Sequence, residues 1–277
     1  MILYTKPLSP RAVLRTLIVT ASCLLLWACN AHRHPSATIN SVALRTVQIE
    51  QWQHDDDYVR LRYPRIVGDA AARLNLVIER WIGGHCPIIG PKPEKFDNIP
   101  ACIAAFTAAC VKQRAHTPAG QHFACTMDST SDIRLDAAGL LGVVLKSYVY
   151  TGGAHGQTLI ADLNLDLNSG HALKLDDLLN AVDKTALSGK IEWALRRQQH
   201  IAADQPLKQA GFFKNNLPVP TTVLVLPEGL LFTYQSYDVA PYVMGQPQAL
   251  VPYNQLSGML RQNGLLTQVQ ALQATSE

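Results

Sequence analysis

Alternating apolar and polar positions predict several β-strands in this chain. In residues 58–63, Val59, Leu61 and Tyr63 fall on one side and two arginines on the other, which is the period of a half-buried strand. Five further segments are predicted strands: residues 132–135, 140–150, 158–167, 223–226 and 230–234. The last two flank Pro227-Glu228-Gly229, so we expect them to form a hairpin.

A helical period predicts three helices among these strands. The first begins at Asp69 and ends at Gly83-Gly84, with one apolar stripe that extends to Trp81. The second covers residues 101–111 and the third covers residues 183–199. Because strands and helices interleave irregularly, we predict an α+β fold in which an antiparallel sheet carries a few packing helices.

The first 28 residues have the features of an export signal. Three basic residues accompany an apolar stretch, residues 12–27, which is too short for a stable transmembrane helix. The stretch ends in Leu26-Trp27-Ala28-Cys29, which resembles a bacterial lipobox and implies cleavage before a lipidated Cys29. We therefore predict a lipoprotein signal peptide at residues 1–28 and a lipidated tether at residues 29–44. An ordinary signal peptide that is cleaved nearby is the alternative.

The residue after the lipidated cysteine bears on the choice of membrane. Asn30 stands where lipoproteins retained at the inner membrane typically carry aspartate. By this analogy, we expect a lipoprotein on the periplasmic side of the bacterial outer membrane, with the inner membrane as the alternative.

Charge excludes two further classes of partner. The chain has 24 lysines and arginines, three of them in the signal peptide, and 21 acidic residues. The exported part is therefore almost neutral. A neutral chain argues against binding to nucleic acid, which needs a basic surface, and against electrostatic docking of the folded part to a membrane.

Four cysteines remain beyond the lipobox: Cys86, Cys102, Cys110 and Cys125. An even number in an exported chain predicts disulfides. A helix over residues 101–111 would separate Cys102 from Cys110 by about 12 Å, whereas a disulfide needs Cα atoms within about 7 Å. Two schemes survive, Cys86–Cys102 with Cys110–Cys125 or Cys86–Cys110 with Cys102–Cys125, and the shorter loops favour the first. A zinc site is disfavoured because the chain has no Cys-x-x-Cys spacing.

Two motifs resemble those of a known family. Residues 147–156 read Ser-Tyr-Val-Tyr-Thr-Gly-Gly-Ala-His-Gly, and residues 229–242 read Gly-Leu-Leu-Phe-Thr-Tyr-Gln-Ser-Tyr-Asp-Val-Ala-Pro-Tyr and precede a third match at 251–256. In this order they resemble the DUF3298 domain of RsiV-type anti-sigma factors, whose extracytoplasmic part serves as a lysozyme receptor. The module is also attached to some peptidoglycan deacetylases, outside their catalytic domain. The resemblance covers residues 45–260 and is strongest over residues 132–256.

The resemblance implies a two-part, RsiV-like architecture. Residues 45–150 form a part similar to the DUF4163 family, and residues 151–265 form the DUF3298-like part. The cysteine-rich segment 86–125 departs from the family pattern, and we interpret it as an insertion.

The two motifs also supply the candidate binding residues. These are Tyr150, Thr151, His155, Tyr237, Asp238 and Tyr242. Gly152-Gly153 lets the chain reverse tightly, and tyrosine combines apolar area with a polar tip, which suits a binding surface. The alternatives are that His155 satisfies carbonyls of its own turn and that the tyrosine rings pack on their own sheet.

Catalytic signatures are missing from the sequence. It contains no Gly-x-Ser-x-Gly, His-Glu-x-x-His or P-loop motif. The run His54-Asp55-Asp56-Asp57 has the ligand types for a cation, but such runs are more often exposed loops. We therefore expect no catalytic residues, no metal and no cofactor.

Taken with the resemblance, these features predict a binding protein that is not an enzyme. The expected partner is a peptidoglycan hydrolase or a lysozyme-like toxin, which the chain would inhibit by inserting residues 151–156 or 237–247 into its active-site cleft. This role is that of an inhibitor or immunity protein. The alternatives are a module that binds peptidoglycan or another glycan without a protein partner, and a hydrolase with an unrecognised site.

Overall fold

Two β-sheets carry the part of the chain that the computed structural model describes, namely residues 42–54, 57–68, 71–85, 96–118, 124–152, 154–180, 183–261 and 264–274. The strands are β1 Leu44–His54, β2 Asp57–Ile66, β3 Thr126–Ala137, β4 Leu140–Tyr150, β5 Gln157–Asp166, β6 His171–Leu173, β7 Thr222–Leu226, β8 Gly229–Thr233 and β9 Gln248–Pro252. The helices are α1 Ala71–Gly84, α2 Ile99–Ala115, α3 Leu175–Leu178, α4 Lys184–Gln198 and α5 Gly264–Ala274.

The first sheet contains β1 to β6 in chain order, and it is mixed rather than purely antiparallel. The α+β class is confirmed, but the expectation of an antiparallel sheet needs one correction. β2 pairs with β3 in parallel, from Tyr58 opposite Thr126 to Leu61 opposite Ser129. Two parallel neighbouring strands need a long crossover connection. Here the segment of the chain that contains α1 and α2 connects β2 to β3.

The second sheet, β7-β8-β9, is antiparallel and lies against the first. The predicted hairpin is confirmed as β7 and β8. Asn164 of β5 joins the sheets, since its amide donates to the Val223 carbonyl at 2.8 Å and its oxygen accepts from the Val225 N–H at 2.7 Å. Asn164 is 1% exposed and the next residue, Leu165, is fully buried on the opposite face, so both faces of β5 are covered in this part of the strand.

Each sheet contributes to its own hydrophobic core. The first core combines β2 to β5 with α1 and α2, and it includes Leu61, Ile78 and Phe106. The second core combines α4 and α5 with β7 to β9 and with the residues of β3 and β4 next to the turn that joins them, and it includes Ile191 and Phe232. The predicted division at residue 150 lies between the paired strands β4 and β5 and stays a prediction about family modules.

Strongly periodic segments were predicted well, and polar strands were not. The predicted bounds match β4, and the third predicted helix matches α4. Asp183 caps the N-terminus of α4, because its side chain accepts a hydrogen bond from the Thr185 N–H. β3 extends from residue 126, well before the predicted start at 132. Its polar first half is central in the sheet, where the buried Ser129 hydroxyl donates to Ser147 Oγ at 3.1 Å. The edge strand β1 was missed.

The disulfide Cys110–Cys125 is present, with its Cα atoms 6.1 Å apart, as the favoured pairing scheme predicts. Cys102 is also disulfide-bonded, and its predicted partner Cys86 lies outside the described residues. Asp57 accepts hydrogen bonds from Arg114 and, at 2.7 Å, from the Cys125 N–H. This buried aspartate therefore has a structural role in place of the exposed loop position that the acidic run suggested.

Several predictions fall on parts of the chain outside these ranges. They include Cys29, the signal peptide and most of the tether. Within the described ranges, no helix is long and apolar enough to cross a membrane. The same ranges contain no group of three histidine, cysteine or acidic residues placed to hold a metal ion.

Candidate binding surface

The two loops that the motifs singled out meet in the structure. The His155 ring, between β4 and β5, stacks on the Tyr242 ring with centroids 4.0 Å apart and planes inclined by 17°. The Tyr237 hydroxyl lies 3.2 Å from His155 Nε2, and the Tyr237 and Tyr242 rings are 6.1 Å apart. We call these three residues, together with the neighbouring Val243, the aromatic surface.

The hydrogen bonds of His155 define its orientation. Its Nδ1 lies 2.9 Å from the Gly156 carbonyl, and a carbonyl only accepts, so Nδ1 carries the proton. In the neutral imidazole, Nε2 then accepts from the Tyr237 hydroxyl. His155 therefore satisfies a carbonyl of its own turn, which was the alternative to a binding role, and the same ring also links the two loops.

Two glutamines hold the second loop against β5. The Gln235 side chain accepts from the Ile160 N–H at 3.0 Å and donates to the Ile160 carbonyl at 2.8 Å. Gln246 donates to the Thr158 carbonyl at 2.9 Å. The neighbouring strand β6 pairs only with Asn164–Asp166, so these glutamines supply the partners that the backbone of β5 needs at its open edge.

Asp238 closes the turn that carries Tyr237. Its carboxylate accepts from the Gln235 N–H at 2.8 Å, and its own N–H donates to the Gln235 carbonyl. Tyr237 is in the left-handed region with φ +71°, which is uncommon for a bulky residue and costs about 1–2 kcal/mol. The surrounding contacts therefore hold an exposed ring in a conformation that it would not adopt by itself.

Exposed apolar groups extend this surface. Val243 is 89% exposed and Tyr237 is 54% exposed. Phe213 is a further exposed large side chain, and its N–H donates to the Val239 carbonyl in the same loop. Apolar groups that share one surface are typical of sites where proteins interact.

The remaining candidate residues lie at the base of the first loop. Tyr150 ends β4 opposite Thr126 and is half-buried, as is Thr151. Tyr148, which the sequence did not suggest, packs against Gly156, where any side chain would overlap its ring. Burial, followed by the nearby Tyr242, raises the pKa of the Tyr148 hydroxyl above its usual value.

The geometry extends the sequence-based interpretation. The structure brings together His155, Tyr237 and Tyr242, with Asp238 beside them as a turn residue. Gln235, Gln246 and Val243 were not named as candidate residues, although the last two lie in the predicted loop 237–247. Val243 follows directly after the recognised motif, so extending the motif would have found it. The rings and hydroxyls of this surface are suited to non-covalent binding.

The comparisons with known proteins give a family match over part of the chain and a match to the fold. Residues 176–254 match the family described as "Protein of unknown function (DUF3298)". This match includes Tyr237 and Tyr242 and begins after His155. No curated protein matches the chain.

Two solved structures resemble the chain at low sequence identity. A DUF3298 family member from Bacteroides fragilis has a TM-score of 0.66 and 21% identity, covering 84% of this chain and 99% of its own. A DUF3298 family protein from Pseudomonas aeruginosa has a TM-score of 0.61 and 20% identity, covering 81% and 96%. Residues 176–254 are therefore similar to the DUF3298 family, and the chain has the fold of these two DUF3298 structures.

Proposed function

We propose that this chain is a membrane-anchored periplasmic protein that binds and inhibits a peptidoglycan hydrolase or a lysozyme-like toxin. The observation that carries the proposal is the aromatic surface, in which loops about 80 residues apart meet and expose rings and Val243. The resemblance of both loops to those of a lysozyme receptor supports the choice of partner.

The composition of the aromatic surface suits a protein partner. Tyrosine is enriched among the residues that contribute most to protein–protein binding, and such residues cluster near the centre of an interface. A tight inhibitor needs a buried area of roughly 1,600 Å² in total. The aromatic surface would form the centre of that area, with Phe213 on its margin.

Rigidity favours tight binding by this surface. Gln235 and Gln246 fix the second loop on β5, and His155 joins the first loop to it. Because the loops are ordered before they meet a partner, binding loses less conformational entropy. The rings would enter the hydrolase cleft and exclude its glycan substrate.

The predicted lipid anchor gives the inhibitor a place of action. Lipidation at Cys29 would keep the protein beside the cell wall, and the tether would let it reach hydrolases there. This arrangement fits both protection from the cell's own enzymes and immunity to a toxin delivered from outside.

The test is inhibition of named hydrolases by the purified full-length chain. We would measure binding by calorimetry, and lysis of peptidoglycan by turbidity, for a panel that includes a C-type lysozyme. Val243→Asp places a charge on the aromatic surface, next to Tyr242, and should weaken binding about 100-fold. The matched control is Val111→Asp, since Val111 is an exposed valine on α2.

The proposal predicts inhibition at one-to-one stoichiometry that Val243→Asp abolishes and Val111→Asp leaves intact. Equal inhibition by both variants would move the interface away from the aromatic surface. Failure to bind or inhibit any hydrolase of the panel, or any from the source cell and its competitors, would refute the proposed function.

A further inference from the structure

A cleft of about 270 Å³ lies on the molecule apart from the ring stack of the aromatic surface. It is formed by the end of α1, the middle of β5, the start of β7 and the residue Gln235. Its lining comprises Trp81, His85, Leu159, Ile160, Ala161, Asp162, Thr221, Thr222 and Gln235. Pockets for drug-sized ligands measure about 300–1,000 Å³, so this cleft suits a small ligand.

One wall of the cleft is aromatic. Trp81 and His85 are one helical turn apart, with ring centroids 4.8 Å apart and planes inclined by 32°. His85 Nδ1 lies 2.7 Å from the Trp81 carbonyl, so Nδ1 donates, and the neutral ring presents Nε2 as an acceptor. The two rings provide a nearly continuous face for an apolar side of a ligand.

The lining also includes Asp162, one of whose carboxylate oxygens lacks a partner. Asp162 Oδ2 accepts from the Thr233 hydroxyl at 2.7 Å, whereas the buried Oδ1 has no hydrogen-bond partner among the residues that the structure describes. Buried polar atoms without a partner are rare and need an explanation. Burial also raises the pKa of Asp162 above its usual value, as expected when few donors face a carboxylate.

We propose that this cleft binds one sugar unit of a glycan. A pyranose ring presents C–H groups on its faces and hydroxyls at its edge, so it can stack on the wall of Trp81 and His85. Because Oδ1 of Asp162 is buried in the unliganded chain, the Asp162 side chain turns towards the cleft when a sugar hydroxyl donates to it. The hydroxyls of Thr221 and Thr222 supply further donors and acceptors beside it. The volume of the cleft matches a single ring.

A primary amine is the competing ligand, because it also pairs with a carboxylate and an aromatic face. The lining favours the sugar. Asp162 is the single acidic side chain in it, already bonded to Thr233, and the other polar groups are neutral hydroxyl and amide groups or an imidazole that repels a cation when protonated. This inference does not depend on hydrolase binding by the aromatic surface.

The experiment titrates the purified full-length chain with N,N′-diacetylchitobiose, maltose and, as the amine probe, lysine amide. Binding is followed by calorimetry and by tryptophan fluorescence. We expect saturable binding of at least one disaccharide, accompanied by a fluorescence change from Trp81. The lysine derivative should not bind.

Two conservative variants locate the site. Asp162→Asn keeps the shape and the Thr233 bond but replaces an acceptor by a donor, and it should weaken sugar binding about tenfold. Trp81→Phe keeps an aromatic wall, so affinity should fall only a few-fold while the fluorescence change disappears. Trp193→Ala, on the exposed face of α4, is the control and should bind like the wild type.

Folding is checked separately by the melting temperature, which Asp162→Asn should not lower because it removes a buried charge. Sugar binding that both cleft variants leave unchanged would place the site elsewhere. The absence of binding by both disaccharides, or binding of the lysine derivative alone, would overturn the proposal.

Discussion

The first sheet is joined to α2 by a disulfide and a partly buried ion pair, whereas the second sheet is held mainly by apolar packing and hydrogen bonds. In the first, Cys110–Cys125 and the Asp57–Arg114 pair join α2 to the strands. In the second, Tyr234 donates to the Pro218 carbonyl and Tyr253 to the Leu226 carbonyl, each at 2.7 Å.

Chain topology explains the difference. The parallel strands β2 and β3 are joined through two helices, and closing so long a connection costs conformational entropy. A disulfide that restricts the unfolded connection offsets part of this cost. The second sheet is built from antiparallel neighbours, including a tight hairpin, so packing suffices. The first core should therefore respond to redox chemistry. The second core, which contains the two tyrosines with the largest rise in pKa, should respond most strongly to alkaline pH.

Removing the hydrogen bonds by which Asn164 joins the two sheets should cause the largest loss of stability. Asn164→Ala leaves the Val223 carbonyl and the Val225 N–H buried without their partner. We expect the free energy of unfolding to fall by about 4 kcal/mol, because each buried unsatisfied group costs about 1–3 kcal/mol. Urea unfolding measures the change, with the exposed Asn216→Ala as the control. A loss below about 1 kcal/mol would show that the sheets do not need this joint.

Removing the Cys110–Cys125 disulfide should cause the second-largest loss of stability, and this loss should be confined to the first core. Replacing Cys110 and Cys125 together by alanine opens a bond that spans 15 residues, for which about 3 kcal/mol is expected. Hydrogen exchange should accelerate in α2, β2 and β3 and stay unchanged in β7 to β9. Equal acceleration in both sheets would mean that the two cores unfold as one unit, and the comparison would fail.

Alkaline pH should weaken the second core. Burial, as the largest cause, raises the pKa of Tyr234 and Tyr253 well above the usual value of about 10. Their contribution is fully present below pH 10 and is lost as the pH rises towards the folded-state pKa, because the unfolded chain releases its protons first. Each should contribute a loss of about 1 kcal/mol at pH 11.

Phenylalanine variants identify the source of this pH dependence. Tyr234→Phe and Tyr253→Phe should each lose about 1 kcal/mol at pH 8 with the hydrogen bond, and each should flatten the decline between pH 9 and 11. Thermal unfolding followed across this range measures both effects. A decline that remains equally steep in the double variant would assign it to other groups.

The sequence predicts elements best where one face is apolar and the other polar. β2 and α4 follow this rule and were located from their period. The hairpin of β7 and β8 is apolar on both faces, and it was located from two apolar runs that flank a turn sequence. The first half of β3 breaks the rule, because Ser129 is buried by pairing with Ser147, a partner that no local pattern indicates. Tertiary hydrogen bonding replaced apolar burial there.

The candidate site also contains some residues that the sequence indicates and others that it does not. The ring-bearing residues His155, Tyr237 and Tyr242 stand in recognisable motifs, but their meeting depends on Gln235 and Gln246, which bond to backbone groups of β5. A glutamine that binds backbone carries no sequence signature. The parallel pairing of β2 and β3 also went unpredicted, because strand order depends on how α1 and α2 cross the sheet.

The smallest effect on stability should come from the aromatic surface, where it separates function from folding. Tyr237→Gly removes the ring contact with His155 but also relieves the positive φ of +71°, so the free energy of unfolding should stay equal or rise by up to about 1 kcal/mol. Ala138→Gly, at φ 55° in the turn between β3 and β4, is the backbone control and should not alter hydrolase binding. Tyr237→Gly should weaken that binding strongly. If Tyr237→Gly instead destabilised the fold by more than about 1 kcal/mol, the ring would be needed for packing on the second sheet. Its exposure would then no longer indicate a binding site.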